Sequence, residues 1–244
     1  MSALRNYGLL VAWQGLRLKS FLPLAIVVQA LFSFGIVVGY PLLFPSLDTT
    51  TVLYLATGAP AISLITMGLV AVPQVVSQAR TEGSLDYMRT LPIPRIVYLL
   101  ADMTVWLAIV LPGVAFAIVI GAIRFDLDLR VSPLVLPAML LVVLTTTSIG
   151  YALASVLPQM LANLLTQVLV VFVLMFSPLN FPADRLPEWL AMVHSVLPIQ
   201  PMGEVIRGTL AGDAFPVGMM PFAILAAWCV AAFVLTGRVL TRRG

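Results

Sequence analysis

Apolar residues along this chain neither alternate nor recur on one helical face. They run on unbroken for about twenty residues at a time, the length that crosses roughly 30 Å of hydrocarbon at about 1.5 Å per residue, and polar residues collect in the gaps. Six stretches have this character: Phe21–Phe44, Val52–Val76, Ile96–Ile123, Pro133–Leu157, Leu161–Leu179 and Pro216–Thr236. Only helices and closed barrels satisfy every backbone group in lipid, and a barrel strand would show a two-residue period. The pattern predicts an all-α integral membrane protein with six transmembrane helices and a single membrane domain over residues 1–244.

Three segments break the pattern. Leu4–Leu18 mixes Leu9, Leu10, Trp13 and Leu16 with Arg5, Gln14, Arg17 and Lys19. It reads as an N-terminal interfacial helix, or as the wet start of the first span. Between spans 2 and 3, Gln78–Arg95 is too polar to cross a bilayer. Ser84 is placed to cap a short helix with Asp86 in its first turn. Leu85, Met88 and Leu91 share one face, and Asp86 and Arg89 pair on another. Pro92 and Pro94 end it. An apolar stripe on an exposed helix wants either the membrane surface or a protein groove, and the pattern does not choose.

The third break is Phe181–Phe215, before span 6. Pro187 is placed to open a helix over Glu188–Leu197, with Trp189, Leu190, Val193 and Leu197 on one face. Pro198 divides it from a second half in which Glu204 and Arg207 are spaced as an ion pair. Neither half is long enough to span. Two short re-entrant helices covered by protein, or an interfacial hairpin with no part in transport, would each fit this pattern.

Composition agrees with the membrane reading. The chain is 61% hydrophobic and 9% charged, against about 45–50% and about 25% in a soluble domain. Too few charges remain to solvate a globule. A net charge of +3 without a basic stripe excludes nucleic acid as a partner. Cys229 stands alone, so no internal disulfide forms. Arg5, Arg17 and Lys19 are dispersed with no short apolar core and cleavage site behind them, so no cleaved leader is expected. With both termini in the cytoplasm, nine basic residues lie inside and four (Arg124, Arg130, Arg185, Arg207) outside. That bias orients the chain. The excess of arginine over lysine is a hint of a GC-rich bacterial genome and no more; the expected location is a bacterial cytoplasmic membrane.

Some chemistry is missing from the sequence. No Gly-x-x-x-x-Gly-Lys-(Ser/Thr) occurs; the nearest approach, Gly15–Ser20, has Leu18 where glycine is required. No His-Glu-x-x-His helix occurs either. His194, the only histidine, reads as an ordinary polar-face residue rather than a metal ligand. Asp102 reads as interfacial. No ionisable residue falls at mid-span, which argues against an ion-driven antiporter.

Arg80–Asp86, with Glu82-Gly83-Ser84-Leu85-Asp86 at its heart and Leu91-Pro92 after it, resembles the loop of ABC-2 type transporter permeases. Ser177–Pro182, Leu186–Leu190, Leu197-Pro198 and Arg207-Gly208 are similar to that family's stretch before its last span. The resemblance implies the membrane subunit of an ATP-driven exporter, with no ATPase site of its own. Partners would be a cytoplasmic ABC ATPase that holds the ATP and Mg, a second permease copy or paralogue, and lipid. Glu82, Gly83, Ser84, Leu85, Asp86 and Leu91 would couple to the ATPase. Leu85 and Met88 would fill its groove, and Glu82, Asp86 and Arg89 would make rim contacts. Pro187, Trp189, Leu190, Pro198 and Arg207 would belong to the outer gate. The cargo would be amphipathic or hydrophobic, drug-like or lipid-linked. A membrane scaffold, or a transporter without an ATPase, is the competing expectation.

Overall fold

The computed structural model describes residues 3–43, 48–84, 94–127 and 131–242, which form helices and turns with no strand among them. Six segments have the length and hydropathy of membrane spans: Leu22–Leu42, Thr49–Thr81, Ile96–Phe125, Val135–Val156, Gln159–Phe176 and Met219–Thr236, here called spans 1 to 6. The expected six-helix fold is what forms. Span 2 runs past its apolar stretch to Thr81, and span 5 stops at Phe176, where Ser177-Pro178 breaks the helix. Six crossings leave both chain ends at one end of the bundle, called proximal below; the other end is distal.

Span 2 is the centre, with 83% of its most apolar window buried, against 17% for spans 5 and 6. Its main neighbours are spans 3, 4 and 5 and the segment before span 6. Lipid tails are as apolar as leucine, so close packing and polar contacts, rather than water exclusion, hold helix to helix. The crossing of spans 2 and 4 shows how close the backbones come. A Cβ at Gly68 would overlap Thr146, and one at Gly150 would overlap the carbonyl of Gly68. Thr146 turns its hydroxyl back to the carbonyl of Val142, 2.9 Å away, so that hydroxyl is not stranded.

Span 2 also carries a wide π turn at Met67–Ala71, where the N–H of Val72 reaches the carbonyl of Met67. Pro73 follows and has no N–H to give. The wider turn shifts the ladder ahead of that missing donor. Span 1 holds a second π turn at Gly35–Gly39.

The N-terminal helix, Ala3–Leu18, lies along span 3, with Tyr7 Oη 2.6 Å from Thr104 Oγ1. Leu10 and Gln14 face inward, while Leu4, Leu9 and Leu16 face out. Before span 6 the chain makes two short helices, Glu188–Val196 and Ile199–Leu210, both at the distal end. Pro187 and Pro198 each stand in the cap position just ahead of a helix, rather than inside its first turn.

Candidate functional site

At the proximal end, span 2 finishes on the motif that drew attention in the sequence. Gly83 has φ 76°, the left-handed conformation that lets the chain leave a helix and that costs a Cβ-bearing residue about 1 kcal/mol. Glu82 accepts from Gln78 Nε2 at 2.7 Å and lies 3.9 Å from Arg17 of the N-terminal helix. Arg80 reaches across to span 4 and donates to the carbonyl of Ala154 and, at 3.3 Å, to that of Leu157. Thr81 contacts Gln159 at the head of span 5, 2.7 Å away. Span 2 is therefore tied at its end to span 4, to span 5 and to the N-terminal helix. Ser84 is already helical, and its hydroxyl donates back to the carbonyl of Ala79 at 3.1 Å. The segment that the serine cap was expected to open lies outside the described residues. Leu85, Asp86, Met88, Arg89 and Leu91 lie outside the described residues.

Between spans 1 and 5 a groove opens sideways, floored by span 2. Its inner part, about 320 Å³, is walled by Phe21, Leu24, Val28, Phe32, Met67, Val70 and Val170. Gln29, Ser63, Thr66, Gln74 and Gln167 add uncharged polar groups. A second part, about 430 Å³, shares Val28 and Phe32 with the first and runs distally past Leu31, Ile36, Tyr40, Leu174 and Met175 to Asn180. Among the described residues no Asp, Glu, Lys, Arg or His lines either part. Gln74 is held by Thr166 at 3.3 Å, whereas Gln29 Oε1 is buried without a partner. The groove can hold an apolar body and offers it only neutral donors and acceptors.

At the distal end the sequence expectations hold in part. Leu190 is buried, but Trp189 is 67% exposed and Val193 is also exposed. The supposed single face divides: Leu190 and His194 point in, and Trp189, Met192, Val193 and Val196 point out. His194 is fully buried rather than on a polar face, stacked on Phe172 with ring centroids 5.6 Å apart. Desolvation holds its pKa below the ordinary histidine value. No cluster of metal-ligating side chains accompanies it among the described residues.

Arg207 is 4% exposed. It does not pair with Glu204, which instead accepts from Gln200 Nε2 at 2.8 Å. Arg207 Nη2 donates to the carbonyl of Leu179 at 2.7 Å, and its guanidinium carbon lies 3.8 Å above the ring of Tyr54. Burial draws its pKa down to about 10, still charged at neutral pH.

Sequence reasoning missed one group. Asp102, about two turns into span 3, is buried against the neighbouring helices, where Trp106 Nε1 donates to it at 3.0 Å and the Tyr151 hydroxyl donates as well. The Asp-x-x-x-Trp spacing was a signal for the local contact. The contact with Tyr151, from span 4, has no local signature.

Bilayer-length helices around a largely buried central span define a multi-pass membrane protein, with a groove that opens to its side. The chain belongs to the ABC-2 type transporter family, whose model matches residues 3–211. No curated protein matches the sequence. Family membership makes this the permease subunit of an ABC-2 type transporter, a kind that generally works with an ABC ATPase.

Proposed function

We propose that this chain, as one transmembrane domain over residues 1–244, exports an amphipathic or hydrophobic compound, drug-like or lipid-linked, across a bacterial cytoplasmic membrane. The observation that carries this reading is the groove between spans 1 and 5, apolar in its walls and, among the described residues, without Asp, Glu, Lys, Arg or His. A charged cargo would leave desolvated charge there with nothing to meet it; a flat apolar one with a few hydrogen-bonding groups would find the glutamines. The groove opens to the side, so a second permease copy facing it would close it into a shared path.

The proximal end is then cytoplasmic, as the arginine bias requires. Trp13 and the outward leucines of the N-terminal helix suit a headgroup boundary. A separate ATPase binds the nucleotide and Mg and engages the segment from Glu82 to Leu91. Glu82, Asp86 and Arg89 meet its rim, and Leu85 and Met88 enter its groove. Closure of the ATPase pushes on this segment. Because Arg80 and Thr81 tie the end of span 2 to spans 4 and 5, the push tilts three spans together, a two-state switch biased from one end. The two distal helices, with Pro187, Trp189, Leu190, Pro198 and Arg207, close the outer side.

The test is reconstitution of this chain with an ABC ATPase subunit and measurement of ATP hydrolysis stimulated by amphipathic dyes, with Glu82→Ala and Leu85→Ala as variants. Loss of copurification and of stimulation in the variants is expected. Unchanged binding and transport in both would overturn the coupling assignment. Asp102 favours one other reading, a transporter driven by an ion gradient, since a buried acid within a span marks such pathways. That reading requires Asp102→Asn to abolish transport, whereas ATP-driven export tolerates it.

A further inference from the structure

The distal end holds a cavity separate from the groove, about 300 Å³ in volume, between the head of span 2, the second distal helix and the turn before span 6. Gln200, Glu204 and Arg207 present it with one face of that helix, and Tyr54 and Phe215 complete it. Arg207 is a fixed cation here. It is held by the Leu179 carbonyl and two aromatic rings, none of which carries a negative charge. Its Nε has no acceptor, and among the described residues no carboxylate is within ion-pair distance. Glu204, one turn back, favours the charge from a distance without touching it; burying a guanidinium with no contacting counter-ion costs several kcal/mol, of which a cation–π contact offsets only about 1–2 kcal/mol.

One helical turn away the chemistry reverses. Glu204 offers a carboxylate, and Gln200 Oε1 is a buried acceptor without a donor. The cavity thus presents an unsatisfied cationic donor and, on the same helix face, two acceptors, Glu204 about 5 Å and Gln200 about 10 Å along the axis from it. A ligand that satisfies both is an acid and a primary ammonium joined through a few atoms.

We propose that this distal cavity binds a small zwitterion of that kind, with phosphate or carboxylate on Arg207 and ammonium on Glu204 and Gln200. An ethanolamine phospholipid headgroup has this chemistry, and so has a soluble phosphoethanolamine. A choline headgroup has no ammonium N–H to donate, and a phosphoglycerol headgroup has no cation. The site stands whatever cargo the groove takes.

The full chain, purified in detergent, is offered equal amounts of ethanolamine, choline and glycerol phospholipids with matched acyl chains, and retained lipid is weighed by native mass spectrometry. O-phosphoethanolamine is titrated in parallel while thermal unfolding is followed. The ethanolamine lipid is expected to be retained about fivefold over the other two, the factor one partly exposed charge contact supplies. Glu204→Gln is expected to bring the three to parity, and Arg207→Gln to abolish retention. Protection by O-phosphoethanolamine alone assigns the site to a soluble zwitterion; retention of the ethanolamine lipid alone assigns it to lipid. If Arg207→Gln does not fold, Glu204→Gln decides. No preference in either arm, or a preference that survives Glu204→Gln, overturns the proposal.

Discussion

Arg80 is the position where a small change should have the most informative effect. Its guanidinium leaves span 2 and donates to the carbonyls of Ala154 and Leu157, at the end of span 4. Those carbonyls belong to the last turn of a helix, where no intrahelical N–H remains for them and where the helix dipole favours a cation. Hydrogen bonds from a charged donor contribute about 1.5–3 kcal/mol when buried. Arg80 is only partly buried, and solvent screening reduces that to about 1–2 kcal/mol. For a chain of this size, 1 kcal/mol moves the midpoint by roughly 2–4 °C, so Arg80→Gln should lower Tm by about 2–8 °C. Cys229, partly buried in span 6, permits the measurement by thiol-reactive dye, since unfolding exposes the sole cysteine. Arg80→Lys keeps the charge but not the fork, and should fall between. In the reconstituted complex Arg80→Gln should keep the ATPase bound while cutting dye export more than hydrolysis, because the tie between spans 2 and 4 is lost. Equal Tm values for wild type, Arg80→Lys and Arg80→Gln would refute the clamp. An unaltered ratio of export to hydrolysis would refute its part in coupling.

Three further outcomes follow from the same structure. His194 has a lowered pKa, so the unfolded chain takes up a proton that the folded chain does not. Stability should therefore fall as pH drops below the ordinary histidine value of 6.5, until the folded-state pKa is reached. Thermal scans from pH 7.5 to 5 should show this fall in wild type and not in His194→Phe, which keeps the stack on Phe172. Gly83→Ala forces a Cβ into a left-handed turn and should cost about 1 kcal/mol, read as a lower Tm, with a larger loss of ATPase stimulation. Gln167→Trp fills the groove without entering the packed core and should suppress dye-stimulated hydrolysis while leaving basal hydrolysis and Tm near wild type. Full stimulation in that variant would remove the groove from the path.

The sequence alone determined the number of spans, their approximate limits and the family. The reason is physical: hydrocarbon thickness fixes the length of an apolar helix, and charge outside the hydrocarbon marks the connections. Pro187 was legible as the opening of a helix, within one position, because backbone geometry at a helix end is a local matter. Where a side chain points was not. Trp189 and Leu190 are adjacent and equally apolar, yet one faces out and the other in, since the first distal helix has apolar neighbours only on one side. Arg207 looked like the partner of Glu204 by spacing, but Tyr54 and Leu179, both distant in sequence, hold it instead. Asp102 and Tyr151 meet across two spans, and the groove exists because spans 1 and 5 stand apart over span 2. Such contacts depend on which helix packs against which. In a bilayer every apolar face is equally welcome to lipid, so hydrophobicity sets the spans and leaves their arrangement to close packing and to a few polar contacts.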